Sequence, residues 1–261
     1  MNAMTLRTLL VLPTVLAIGC STSKGSANHQ ASSASPSSPA KGDRVSPGGS
    51  QLLALLPMNE GFGPADHDAY EARIAPVGSE HGMARDSAYS IVKFLGGAGP
   101  KKASTLGIWS LAAPDTVAKV MGDPRYQAQV PYRNELHDMQ NAAMFMVREL
   151  PTEEAPKAGH VLLVGLLAMK SGYGFDDHAE YENALEGVMR RHQMRLVRTF
   201  RVDQQISGKT GSEIVAVSLW DLPSPESLGK LMSDPDYMAN TEYRDRIHDM
   251  AQTTMYFVTP R

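Results

Sequence analysis

Residues 234–250 read DPDYMANTEYRDRIHDM, and residues 123–139 read DPRYQAQVPYRNELHDM. Aspartate, proline, tyrosine, arginine, histidine and methionine fall in step, 111 positions apart. The same offset relates Trp109 to Trp220, Gly61-Phe62-Gly63 to Gly172-Tyr173-Gly174, and Asp66-His67 to Asp177-His178. It also relates Tyr70-Glu71 to Tyr181-Glu182, and His81 with Met83 to His192 with Met194. No gap is needed from Leu52 to the end. A period this long predicts two globular copies rather than a solenoid.

Within the second copy the patterns read β-α-β-β-α-β. The apolar run Leu163 to Met169 has strand length. Asp177 with Glu180 three places on predicts a capping box, and Tyr181, Leu185, Val188 and His192 follow on one helical face. Met194 to Asp203 and Glu213 to Trp220 alternate as strands around the turn-rich Ser207 to Gly211. Ser224-Pro225-Glu226 opens a second helix, Asp234-Pro235 restarts it, and it runs to about Met250. Thr254 to Val258 closes the copy as a strand. Two right-handed βαβ crossovers in this order predict a ferredoxin-like sheet with helices on one side. The other face is apolar, so two copies packed sheet to sheet would cover each other.

The chain ahead of the repeats has a different character. Arg7 and the apolar Leu9 to Leu16 lead to Leu16-Ala17-Ile18-Gly19-Cys20, which resembles a bacterial lipoprotein signal over residues 1–19. Cys20 is the sole cysteine, which excludes an intrachain disulfide and makes it the expected site of lipidation. Ser21 follows in place of aspartate, and the resemblance then implies the outer membrane of a bacterial envelope. Residues 20–50 are rich in Ser, Gly and Pro and read as a disordered tether. The expected layout is a first repeat at 51–150, a linker at 151–159 and a second repeat at 160–261. A formal net charge of -3 argues against nucleic acid as a partner.

The repeats themselves resemble the dimeric α/β-barrel superfamily, specifically its small uncharacterised members. Trp220, Pro225-Glu226, Asp234-Pro235-Asp236-Tyr237 and Arg244 carry the resemblance, with Trp109, Pro114, Asp123-Pro124-Arg125-Tyr126 and Arg133 in the first copy. It implies an α+β intrachain pseudo-dimer, monomeric as a chain, with two sheets enclosing a cavity. It does not imply a reaction, because one fold hosts many functions.

Several constellations are candidates for chemistry. Arg133 with His137, and Arg244 with His248, share a helix face and form either an anion site at the cavity mouth or a set of packing contacts. They are also the candidates for catalysis. His67 with Glu71, and His178 with Glu182, have the spacing of a metal-ligand pair and equally of a surface ion pair. His-x-Met occurs at His81/Met83, His137/Met139, His192/Met194 and His248/Met250, a donor set suited to copper, although Met is also an ordinary core filler. Phe62 and Tyr173, each between glycines, sit either in a loop covering a ligand or in a plain turn.

No nucleophile elbow or phosphate loop is present in the sequence. The expectation is therefore a non-enzymatic envelope module binding a small apolar or aromatic molecule or a partner, without a cofactor. The alternatives are an enzyme of the cofactor-free oxygenase or isomerase kind on an aromatic or apolar substrate, and a copper or other metal binder. For the anchor, Cys20→Ser is expected to move the protein from the membrane to the soluble fraction of envelope extracts. Intact mass spectrometry should show the acyl chains lost; an unchanged mass refutes lipidation.

Overall fold

The computed structural model describes residues 49–152, 155–208 and 213–261. The signal, Cys20 and most of the expected tether lie outside the described residues. So do Lys209 to Gly211 of the expected turn and part of the linker.

The first half runs β1 (Gln51–Pro57), α1 (Pro64–Glu80), β2 (Met83–Gly96) and β3 (Ala103–Leu111). The short helices α2 (Thr116–Gly122), α3 (Pro124–Gln127) and α4 (Val130–Leu136) lead to β4 (Ala143–Leu150). The second half repeats this order: β5 (Val161–Ala168), α5 (Phe175–Arg191), β6 (Arg195–Ser207) and β7 (Ile214–Leu222). Then come α6 (Glu226–Met232), α7 (Pro235–Ala239), α8 (Thr241–Ile247) and β8 (Thr254–Pro260). The strands close into one antiparallel barrel in the order β1-β3-β2-β8-β5-β7-β6-β4. The fold is thus mixed α+β around an eight-stranded barrel.

Closure adds edge pairing to the expected meeting of the two apolar faces. The halves join edge to edge, β2 pairing with β8 (Ile91 opposite Val258) and β4 with β6 (Phe145 opposite Gln205). No strand edge is left free in a closed barrel. Nor is the interior an open cavity of the expected kind. Leu53, Leu55, Ile108, Phe145, Leu166, Phe200 and Tyr256 meet there in one buried cluster drawn from both halves. Side chains fill a barrel of eight strands. At the junction Arg198 Nη1 donates to Ser87 Oγ at 2.6 Å, and Arg198 also pairs with Glu149 and Asp86 at 2.6 and 2.8 Å. Positions 198 and 87 are 111 apart, so this contact marks where the two halves meet.

The helices cover the outside of the barrel. Tyr181, Leu185, Val188 and Met189 of α5 pack on Leu163, Leu167 and Trp220. The sequence places the start of α5 three residues late. Gly174 is the N-cap, and Asp177 is the third helical residue, its Oδ2 accepting from the Gly174 N–H at 2.8 Å. Asp66 does the same for Gly63. The Gly-aromatic-Gly stretches are therefore turn and cap: Gly61 and Gly172 have φ near +90°, where glycine is the favoured residue. Tyr173 packs against the core rather than over an opening. The expected single second helix breaks into three, but its Asp-Pro restart is observed. Asp123 Oδ1 and Asp234 Oδ1 each accept a backbone N–H at 2.8 Å, from Arg125 and Asp236.

One pair of positions controls how the outer face packs. Ala54 faces Gly107 across β1 and β3, and Gly165 faces Ser218 across β5 and β7. Each pair holds one glycine, on opposite strands, and a tryptophan ring lies over it. The Trp109 ring covers Gly107, and the Trp220 ring covers Gly165, where an added Cβ would stand 2.9 Å from it. Gly107→Ala is expected to destabilise the protein by about 1–3 kcal/mol through overpacking. Gly187→Ala, on an open face of α5, should stabilise it by about 0.5–1 kcal/mol. Urea midpoints measure both, and equal midpoints would contradict the ring contact.

Candidate functional site

The histidines expected to work with arginines work with each other. His67 Nδ1 lies 3.2 Å from His137 Nε2, and His178 Nδ1 lies 3.1 Å from His248 Nε2. All four rings are buried. The short bridges of Met58 to His137 and Met169 to His248 fix the ends of α4 and α8, which aims both rings inward. The arginines turn the other way. Arg133 Nη1 donates to Tyr126 Oη at 2.8 Å and Arg244 Nη1 to Tyr237 Oη at 3.0 Å, with Asn134 and Asp245 as their further partners. Arg133 and Arg244 thus hydrogen-bond to tyrosines while His137 and His248 bond to histidines of α1 and α5.

Burial holds His67 and His137 at about 4, well below the ordinary 6.5, with the charge of His137 adding to the effect on His67. His248 is likewise held at about 4, by burial first and by His178 second. Burial pushes the phenols of Tyr70 and Tyr181, which pack edge-on to His137 and His248, up from their usual range. His67, His137, His248 and the two phenols are therefore neutral near pH 7.

Glu71 and Glu182 belong to the same layer but not to the same chemistry. Glu71 Oε1 is 3.5 Å from His67 Nε2, and its Oε2 accepts from Arg85 Nη1 at 3.0 Å. Glu182 Oε1 is 3.3 Å from His178 Nε2, is buried, and has no hydrogen-bond partner among the described residues. Ser218 Oγ is 3.5 Å from the same His178 nitrogen and 3.1 Å from Thr199 Oγ1. Above this floor opens a groove of about 350 Å³ between α5 and β6, walled by Phe175, Met194, Leu196 and Trp220 on one part and by Asn183, Glu186, Arg190 and Arg195 on another, with Glu182 and Thr199 also in its lining. Its size is that of small-ligand sites. The sequence flags Glu182 and His178 only as a metal pair, and it misses Ser218, Thr199, Phe175 and Leu196. No local pattern signals these four, because cross-strand pairing brings them together.

Metal binding finds little support in this geometry. Among the described residues no group of three or more His, Cys, Asp or Glu is set to hold a metal. The His-x-Met pairs are dispersed among other roles. His81 and His192 pair with Asp123 and Asp234 at 3.0 and 2.8 Å, Met194 is in the core, and Met250 is exposed.

No protein-family model and no curated protein matches the chain. Among solved structures it is similar to an anthrone oxidase-like protein, at 11% identity and a TM-score of 0.51, over 81% of this chain and 92% of that one. It also matches a mutant chlorite dismutase from Candidatus Nitrospira defluvii, at 8% identity and a TM-score of 0.47, over 81% and 91% of the two chains. A protein of unknown function from Rhodopseudomonas palustris matches at 15% identity and a TM-score of 0.34, over 42% of this chain and 95% of that one. The first likeness shows the fold, compatible with the dimeric α/β-barrel superfamily. It also corrects the expectation of a non-enzymatic module, since the structure sharing the fold is named for an oxidase.

The depressed histidines predict how stability depends on pH. Between about 6.5 and about 4 the unfolded chain takes up protons that folded His67, His137 and His248 refuse. Stability is therefore full above pH 6.5 and falls through this window, by up to about 1.4 kcal/mol per pH unit for each histidine. Glu71, raised by burial, opposes this but is one group against three. Urea unfolding at pH 7.5 and pH 5 measures the difference; equal stability would contradict neutral burial of the pairs.

Proposed function

We propose that the groove along α5 is the active site of an enzyme acting on an aromatic or apolar substrate, of the cofactor-free oxygenase or isomerase kind. The observation that carries this reading is Glu182, which lines a groove beside Phe175, Met194, Leu196 and Trp220 and whose Oε1 has no hydrogen-bond partner among the described residues. A carboxylate in the lining of a groove is the group placed to accept a proton from bound substrate. Phe175 and Trp220 offer flat surfaces for an aromatic ring. His178 and His248 stand behind Glu182 as a hydrogen-bonded pair through which that proton can pass. Proton abstraction is the first step shared by both reaction kinds. In an isomerase the proton returns to another atom of the substrate, and in the oxygenase the resulting carbanion gives its electrons to dioxygen.

The name of the anthrone oxidase-like structure suggests a substrate to try. Anthrone has an acidic methylene; its oxidation to a carbonyl consumes one dioxygen and releases one water. We also infer that the barrel is a pair of tandem ferredoxin-like repeats, 51–150 and 160–261, supported by the recurring element order and the constant 111-residue offset. The Cys20 anchor, supported by the sequence pattern, would hold this enzyme at the bacterial envelope.

Oxygen uptake with anthrone tests the reaction, and Glu182→Gln tests the residue. The variant keeps the shape of the side chain and should lower kcat by about 10²–10⁴-fold, with an unchanged circular dichroism spectrum. A wild-type rate in Glu182→Gln would remove Glu182 from the chemistry. Neither oxygen uptake nor substrate isomerisation above the buffer rate in the wild-type protein would refute the anthrone reading.

A further inference from the structure

The two halves have diverged at the groove, and in one direction. Lining residues of the second groove map 111 positions back onto α1, β2 and β3. There Leu196 becomes Arg85, Ala179 becomes Asp68 and Thr199 becomes Ala88, while Ser218, buried beneath the lining, becomes Gly107. Arg85 faces Trp109 across the strand pair, as Leu196 faces Trp220. Its guanidinium reaches over to Glu71 at 3.0 Å and lies 3.8 Å from Asp68, which Arg261 also holds, at 2.5 Å. The carboxylate that lacks a hydrogen-bond partner in the second half is therefore ion-paired in the first. Both hydroxyls of the second floor are missing as well.

The tryptophans follow the same divergence. In the first half Gly107 leaves space that the Trp109 ring fills. In the second, Ser218 occupies that position and the Trp220 ring lies instead over Gly165 of the next strand. The hydroxyl of Ser218 is thereby left to His178 and Thr199.

We infer that the protein binds one hydroxyaromatic molecule per chain, in the groove of the second half, and that Arg85 closes the corresponding groove of the first. The inference rests on the reading above that the α5 groove takes an aromatic substrate. The hydroxyl is required because the Glu182 carboxylate lines the groove with no arginine or lysine on it among the described residues, and an aromatic lacking the group offers it no donor.

The chain contains two tryptophans, one at each groove, so 5-fluorotryptophan labelling gives one ¹⁹F resonance per site. Trp109→Phe assigns them. On titrating the full chain with 2-naphthol, the Trp220 resonance should move to saturation at one equivalent while that of Trp109 stays. Naphthalene should bind about tenfold more weakly, the loss of roughly one hydrogen bond. The double variant Arg85→Leu/Glu71→Gln, which removes the plug without stranding a charge, should make the Trp109 resonance respond too. Movement of both resonances in the wild type overturns the inference but leaves the second groove standing. Movement of neither overturns the groove reading itself. Equal affinity for naphthalene overturns the hydroxyl requirement, and an unresponsive Trp109 in the well-folded double variant overturns the role of Arg85.

Discussion

Everything in this structure depends on the pairing of β2 with β8 and of β4 with β6. Each half alone would be a four-stranded sheet with an apolar inner face in water and two open edges. Joining edge to edge removes both problems at once, because the inner faces meet as one buried cluster and no edge remains. The helices are then free to serve the outside, where α5 and the short helices stand off the barrel wall enough to hold a buried histidine layer. The groove exists because the wall beneath it is rigid.

Within that layer, burial decides the chemistry. His67, His137 and His248, which would titrate near neutrality in water, are held neutral, and each pair satisfies one nitrogen of each ring against the other. What differs between the halves is the carboxylate beside them. Glu71 has an arginine on it, and Glu182 has none among the described residues. A buried carboxylate without its cation is costly, and natural proteins retain such a group where it meets a ligand.

Much of the architecture was legible in the sequence, for local reasons. The 111-residue offset, the strand runs and the Asp-Pro caps at Asp123 and Asp234 are short-range signals, and the structure contains the elements they indicate. The start of α5 was misplaced because Asp177 suits a cap as well as the third helical position it occupies. The closing pairs were not legible, since Phe145 and Gln205 are distant in sequence and nothing in either strand names its partner. The site was legible only in fragments. His178 and Glu182 stood out by helical spacing, whereas Ser218, Thr199 and Leu196 are ordinary strand residues until the register sets them beside the helix. His137 and His248 stand out by their helical spacing from Arg133 and Arg244, but spacing along a helix says nothing of the ring waiting on the next one.

The contact between Arg198 and Ser87 has a consequence for how such a barrel can evolve. In a symmetric dimer of identical subunits this locus would face its own copy, and any residue placed there would meet itself. An arginine would then confront an arginine across the axis. Covalent fusion lifts that restriction, since the two sides answer to different codons. The long cation and its small partner can coexist, and by the same freedom one half can specialise while the other is given over to support.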